Sequence, residues 1–414
     1  MDIRPQIHRL DAGHNALGND GAVALFGGLT TQRMRYRRAE KGEPAWGMRE
    51  VHMPQNNVGD EGLANAVQYA SEDEELKSLG MQANGITVSC GLSALIQKLN
   101  KSHLTELRLS NNRLSPAAVE QLFTSLEAPH LRALHLSQCR LPAEVAPAIA
   151  DYIASPRSYG LERLQLNANS LGSKGVSAIV DALQSSNFTL LHLGLAANSA
   201  RARSSGSDDD WDSEEEWSSA SDADSDAAAC SQQTERRLPA LLERNRILNR
   251  RVKDAATRAL APMRIILHAL PPPEQGDVNE QDQLEKLSPE AATGENDANP
   301  VAPAQASSEP APLESFPLLR LPQELQLVVA RHCSGDAEAL SEAQWTRIIT
   351  YAGERASLKR MAERSRLALV DAATGPSRAA RHERKAKMLE VLEEWRTRHR
   401  CDQWESNPMP ANLW

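Results

Sequence analysis

One pattern, Leu-x-x-Leu-x-Leu-x-x-Asn, recurs in register through the first half of the chain and limits what it can fold into. Its seven phases are Ile7, Leu10, Ala12, Asn15; Met48, Val51, Met53, Asn56; Leu76, Leu79, Met81, Asn84; Leu104, Leu107, Leu109, Asn112; Leu131, Leu134, Leu136, Cys139; Leu161, Leu164, Leu166, Asn169; and Leu190, Leu193, Leu195, Asn198. A period of roughly 28 residues marks a stack of small units, none of which can bury its apolar face alone. Side chains alternate along a strand, so each Leu-x-Leu core reads as a short parallel strand with both leucines inward and the middle residue on the open face. The Asn that follows sits at a turn, where its amide can bond backbone groups that would otherwise stay unpaired. Asn15, Asn56, Asn84, Asn112, Asn169 and Asn198 thus form a ladder, in which Cys139 replaces one rung. Segments such as NALGNDGAVALFGGL and NSLGSKGVSAIVDAL follow the turns with apolar residues at helical spacing, so each unit is strand, turn, helix.

Stacking the units aligns Asp11, His52, Gly80, Arg108, His135, Gln165 and Gly194 in one column and Gly13, Pro54, Gln82, Ser110, Ser137, Asn167 and Ala196 in the next. This inner face is the candidate partner-binding surface, carried by His52, Gln82, Arg108, Ser110, His135, Gln165 and Asn167, and its middle reads as polar and mildly basic. The expectation is that replacing His52, Arg108 and His135 together weakens partner capture without lowering the melting temperature.

The repeats and their turn segments, above all NALGNDGAVAL at 15–25 and NVGDEGL at 57–63, resemble the ribonuclease-inhibitor type of leucine-rich repeat over roughly residues 1–200. The whole chain looks most like the ribonuclease-inhibitor-like proteins of fungi. The resemblance implies an α/β fold, a right-handed horseshoe solenoid with parallel strands inside and helices outside, and no catalytic machinery belonging to the fold. Regulation of a small GTPase is a further class, because Ran GTPase-activating proteins combine similar repeats with an acidic region, but no functional residue of that family finds a matching position here.

Two departures from the repeat stand out. An insertion near 31–44 containing Arg33, Arg35, Arg37 and Arg38 reads as an exposed basic loop. The seventh unit breaks off at Asn198, and residues 204–233 carry ten acids and no Lys or Arg. Low hydrophobicity and high net charge predict disorder there. Residues 234–260 supply the missing helix, with Leu238, Leu241, Leu248, Val252, Ala255 and Ala259 on one face, and MRIILHA after it reads as a strand closing the solenoid. Residues 271–312, with nine acids and the single base Lys286, read as a second disordered linker. The chain as a whole has 46 Lys and Arg against 55 Asp and Glu, so outside these two tracts 45 bases face 36 acids. The acidic average conceals a basic folded portion. The organisation expected is a solenoid of about seven units at 1–198, an acidic insertion at 199–233, a capping helix and strand at 234–270, a linker at 271–312, a small all-α module at 313–404 and a tail at 405–414.

Within the acidic tract Ser207, Ser213, Ser219 and Ser221 each have an acid three residues on, which resembles the sites of acidophilic kinases. The tract could fold back on Arg236, Arg237, Arg244, Arg246, Arg250 and Arg251 as an electrostatic cover. In the last module Leu321, Pro322, Glu324 and Leu325 resemble the first helix of an F-box, which implies a Skp-family adaptor of a cullin ubiquitin ligase as partner. The later F-box element is not reproduced, Trp345 being its only echo, so a plain helical domain is the alternative. Phosphate-binding loops, zinc-protease helices and nucleophile elbows are missing, which argues against an enzyme, a cofactor or a metal site. The five cysteines are scattered, without a C-x-x-C pair. No run of about 18 apolar residues and no apolar leader segment occurs, which points away from a membrane and to a cytoplasmic or nuclear protein. Only 4% of residues are aromatic, which removes the stacking platforms single-stranded nucleic acid needs. A non-enzymatic scaffold with a protein partner is the reading that remains.

Overall fold

The computed structural model describes residues 7–39, 47–89, 91–198, 221–269, 322–370 and 378–405. The chain divides into two compact units, Met1–Val252 with Gln403–Trp414, and Lys253–Asp402.

In the first unit seven strands, β1 (Arg9–Asp11), β2 (Glu50–His52), β3 (Ser78–Gly80), β4 (Glu106–Arg108), β5 (Ala133–His135), β6 (Arg163–Gln165) and β7 (His192–Gly194), form one parallel sheet in chain order. Helices α1 (Gly18–Ala39), α2 (Asp60–Glu72), α3 (Leu92–Lys101), α4 (Pro116–Ser125), α5 (Ala146–Ala154) and α6 (Gly172–Ser186) connect successive strands. Each strand needs only three residues because the turn after it does the aligning. The inward residues of β2 to β7 and of the positions after them, from Val51 and Met53 to Leu193 and Leu195, are buried in one continuous core. A fully buried leucine contributes about 1.5–3 kcal/mol, so the stack is held mainly by this apolar column. At the β1 edge Leu10 and Ala12 are only partly buried.

The ladder is explicit. Asn56 donates to Ala12 O at 2.9 Å and Pro54 O at 3.1 Å, while its Oδ1 accepts from the N–H groups of Asn15 at 3.0 Å and Leu17 at 3.3 Å. Asn84, Asn112 and Asn169 repeat the same four-bond arrangement toward the preceding unit. Asn15, at the sheet edge, turns its amide onto its own turn at Ala12 O and Gly13 O. Cys139 keeps the donor half of the job, its thiol lying 3.4 Å from Leu109 O and 3.6 Å from Ser137 O. Burial pushes that thiol up to about 11, only partly offset by the facing N–H groups of Asn112 and Asn111, so it stays protonated and unreactive.

One recurrent feature is invisible in the repeat pattern. The residue immediately before each ladder position, namely His14, Gln55, Ala83, Asn111, Gln138, Ala168 and Ala197, is left-handed, with φ between 52° and 62°. A Cβ there crowds the following carbonyl at a cost of roughly 1–2 kcal/mol. Replacing exposed Ala168 by Gly should therefore raise stability by about 0.5–1 kcal/mol, after the extra freedom glycine gives the unfolded chain, and chemical denaturation would read it.

Several expectations need correction. The basic loop expected near 31–44 is helical as far as Ala39, because α1 continues through it. Arg33 is largely buried there, with Nε 3.6 Å from the carboxylate of Asp73, which also accepts a 2.5 Å bond from the Tyr69 hydroxyl. Helix α7 (Ser221–Ala269) begins inside the tract expected to be disordered, and MRIILHA is its last part and not a strand. Pro262 separates this run from the 238–259 face in sequence, yet α7 continues through it to Ala269. Within the first unit α7 covers the last coil: Leu241 and Leu242 join the core, and Leu248 and Val252 are buried.

The second unit holds the rest of α7 with α8 (Gln323–Cys333), α9 (Glu342–Gly353), α10 (Arg355–Val370) and α11 (Arg378–Arg398). Ser341 and Gln344 cap α9 reciprocally, and Trp345 is buried with its Nε1 donating to Ala337 O at 3.3 Å. Ion pairs from Arg331 to Glu342, Arg364 to Glu394 and Lys253 to Glu393 tie its helices together.

Candidate functional site

The strand register sets Asp11, His52, Gly80, Arg108, His135, Gln165 and Gly194 side by side on the concave face. The same register creates a column that the sequence reading passed over: Arg9, Glu50, Ser78, Glu106, Ala133, Arg163 and His192. Its signal was available, since period-two alternation puts residues two positions apart on one face.

Glu106 in that column organises the centre. Its carboxylate accepts a hydrogen bond from Arg108 Nη2 at 2.9 Å, with Arg108 Nε 2.8 Å away in the same ion pair, and meets the Ser78 hydroxyl at 3.0 Å and His135 Nε2 at 3.1 Å. Burial opposes its charge, but the hydrogen bonds from Arg108 and Ser78 and the charge of Arg108 outweigh it and hold the carboxyl below its ordinary range. Burial keeps His135 below the ordinary histidine value even against the attraction of Glu106. The middle of the face is therefore close to neutral, which corrects the expectation of a mildly basic one.

The two shifts have the same consequence for stability. Glu106, with its folded pKa depressed, contributes stability present above the ordinary carboxylate range and lost as pH falls through its folded value. His135 is held neutral, so the unfolded chain takes up its proton first and stability falls as pH drops below about 6.5. Replacing Glu106 by Gln removes the charge that favours the imidazolium. The His135 pKa, followed by NMR of the ring, should then fall further still, and a rise would contradict the arrangement.

His52 is buried, its ring packed over Gly80, where a Cβ would lie 2.4 Å from His52 Nδ1. Only glycine admits the ring there. Replacing His52, Arg108 and His135 together thus removes packing and the partners of Glu106, and a lowered melting temperature is expected, contrary to the sequence reading. Gln82, Ser110, Gln165 and Asn167 are partly exposed on the floor, with Ser110 Oγ accepting the Ser137 N–H and Asn167 Nδ2 donating to Gln165 Oε1.

Pro322 precedes α8, Glu324 and Leu325 are exposed on it, and Leu321 lies outside the described residues. Ser207, Ser213 and Ser219 also lie outside them, and Ser221 opens α7. The arginines expected to form one basic face are largely engaged. Arg237 pairs with Asp181 at 2.7 Å, Arg246 with Glu243 at 3.3 Å, and Arg244 is buried against backbone carbonyls. An open cleft of about 520 Å³ between α3 and α4, lined by Ser89, Leu92, Ser93, Ser115 and Gln121, contains no titratable group. Among the described residues no cluster of His, Cys, Asp and Glu is placed to hold a metal ion, and no helix is long and apolar enough to cross a membrane.

A parallel sheet of strand–turn–helix units, locked by an asparagine ladder and open on one face, defines a leucine-rich-repeat solenoid. A family model described as Leucine Rich repeat matches residues 100–123. The chain is similar to ribonuclease inhibitor of Sus scrofa, 27% identical over 208 residues, which is 46% of this chain and 45% of the relative. Similarity to ribonuclease inhibitor of Mus musculus is also 27%, covering 44% of each chain. NACHT, LRR and PYD domains-containing protein 3 of Macaca mulatta is 30% identical over 150 residues, 35% of this chain and 14% of the relative. The repeats are leucine-rich repeats, and their similarity is to those of the ribonuclease-inhibitor type. It spans about half the length of the ribonuclease inhibitors it matches.

Proposed function

We propose that this chain is a non-enzymatic scaffold whose repeats bind a protein partner across the concave sheet. The observation that carries the reading is the continuous floor of β1 to β7, where polar side chains from three aligned columns face outward over a core and ladder that fix their spacing. A surface pre-organised in this way costs little further ordering when a partner arrives. The ribonuclease inhibitors it resembles are named for a protein target, and a protein is the class of target proposed here. The floor offers no paired nucleophile and base among the described residues, and its carboxylates are engaged, Glu106 with Ser78, Arg108 and His135 and Glu50 with Arg9.

Ala133 and Ser137 both stand on the floor, partly exposed. Tryptophan at either position should obstruct a partner while leaving the core intact. The expected result is a loss of at least about tenfold in affinity for the proteins that copurify with the full chain, with the melting temperature held. Unchanged affinity in both variants would move binding off the concave face.

A further inference from the structure

We infer that the β6–β7 corner of the concave face is the subsite for an acidic polypeptide segment of the partner, an assignment that rests on the concave-face reading above. Elsewhere on the sheet every arginine of the floor is matched: Arg9 lies 3.3 Å from Glu50, and Arg108 is ion-paired with Glu106 and donates to it from Nη2 at 2.9 Å. The corner differs. Arg163 is exposed in β6, directly opposite His192 in β7, and pairs with no acid among the described residues. Arg246 reaches the same place from α7, its Nη2 donating to Leu191 O at 3.3 Å beside His192. Both arginines lie close enough that their charges, after burial, hold the His192 pKa down. Arg250, exposed one turn further along α7, adds another cation without an acidic partner among the described residues.

Two carboxylates border the corner. Glu243 lies 3.3 Å from Arg246 Nη1, and Glu162 lies 4.0 Å from Arg132 Nη1. Each is matched by its own arginine, so the charges of Arg163 and Arg250 remain uncompensated. A guanidinium with open N–H groups grips a carboxylate through two parallel bonds, and His192 can add a donor or acquire a proton when an anion arrives. Short neighbours, Ala133 beside Arg163 and Ala196 after β7, leave room for an incoming backbone. No Phe, Tyr or Trp belongs to the three floor columns, so the corner lacks the stacking platform that a single-stranded nucleic acid uses, and carboxylates are the fitting ligand.

The test uses the full chain and a fluorescein-labelled dodecapeptide of alternating Glu and Asp, titrated by fluorescence anisotropy at about 50 mM salt, where surface charges are weakly screened. Arg163→Glu should weaken peptide binding about fivefold, and Arg163→Glu with Arg246→Glu at least about twentyfold. A control pair on exposed helical positions of the other unit, Arg366→Glu with Lys385→Glu, should change it less than about twofold. Arg163 bonds within the fold through its backbone, and its exposed side chain makes no hydrogen bond or ion pair among the described residues, so the single variant remains informative if the double variant proves unstable. Failure of the wild type to bind the peptide, or an equal loss in the control, overturns the assignment. Tighter binding of a twelve-nucleotide single strand that responds to Arg163→Glu also overturns it, in favour of nucleic acid. If Ser137→Trp abolishes partner binding while Arg163→Glu leaves the peptide untouched, the corner assignment falls and the concave-face reading stands.

Discussion

Asn112→Ala is expected to destabilise the repeat unit by about 3–5 kcal/mol, one of the largest effects open to a single polar substitution in this chain. Asn112 is 1% exposed and serves four backbone groups at once. Its Nδ2 donates to Met81 O at 2.9 Å and Leu109 O at 2.8 Å, and its Oδ1 accepts from the N–H groups of Asn84 at 3.0 Å and Ile86 at 3.3 Å. Alanine leaves all four without their side-chain partner, and each buried unsatisfied group costs roughly 1–3 kcal/mol, softened by local relaxation. Asp at the same position should do almost as badly, since it accepts well but cannot donate to two carbonyls. Cysteine should be the mildest replacement, because the Cys139 rung shows that a thiol can occupy this kind of site. Equilibrium urea denaturation orders the three variants, and an alanine variant within about 1 kcal/mol of wild type would remove the ladder from the account of stability.

The second large effect belongs to Arg244→Ala, expected to cost about 3 kcal/mol. Arg244 is 9% exposed and is the hinge between α6 and the helix that covers it. Nη1 donates to Gln184 O at 3.0 Å, and Nη2 donates to Leu183 O at 3.1 Å and Asn187 O at 2.9 Å, so one guanidinium satisfies the carbonyls a helix C-terminus leaves open. Its positive charge also suits the negative end of the α6 dipole, and the cation lies 4.4 Å from the centre of the Phe188 ring. The neighbouring Asn245 adds bonds to Asn187 O and Leu190 O. Lysine keeps the charge but not the fork, so Arg244→Lys should recover less than half of the loss. Hydrogen exchange of the α6 amides would show where the loss falls, and unchanged protection there would contradict the capping role.

These two residues also mark what the sequence could and could not disclose. The ladder and the strand core were legible because they repeat, and seven phases in one register leave a single geometry for the Leu-x-Leu segments. Arg244 was not, because it occurs once: in sequence it is one of eight arginines on a helix, and only the fold separates it from Arg250, which faces water. The left-handed residues before each rung, Ala168 among them, escaped notice because no glycine advertises them. Glu106 does not stand out in the sequence because the repeat marks the residue between the two leucines, although the position before them shares its face. The helical end of α7 was mistaken for a strand because MRIILHA is a short apolar run, which periodicity alone does not assign.

The concave-face claim is tested most directly by site-specific photo-crosslinking of the full chain in cells. A photoreactive phenylalanine analogue placed at Ser137 or Gln82 on the floor, and at Gln68 or Gln121 on the outer helices, samples the two faces of the same stack of repeats. The prediction is one set of protein adducts formed from both floor positions and absent from both outer ones. Adducts confined to the helices, with none from the floor, would contradict it.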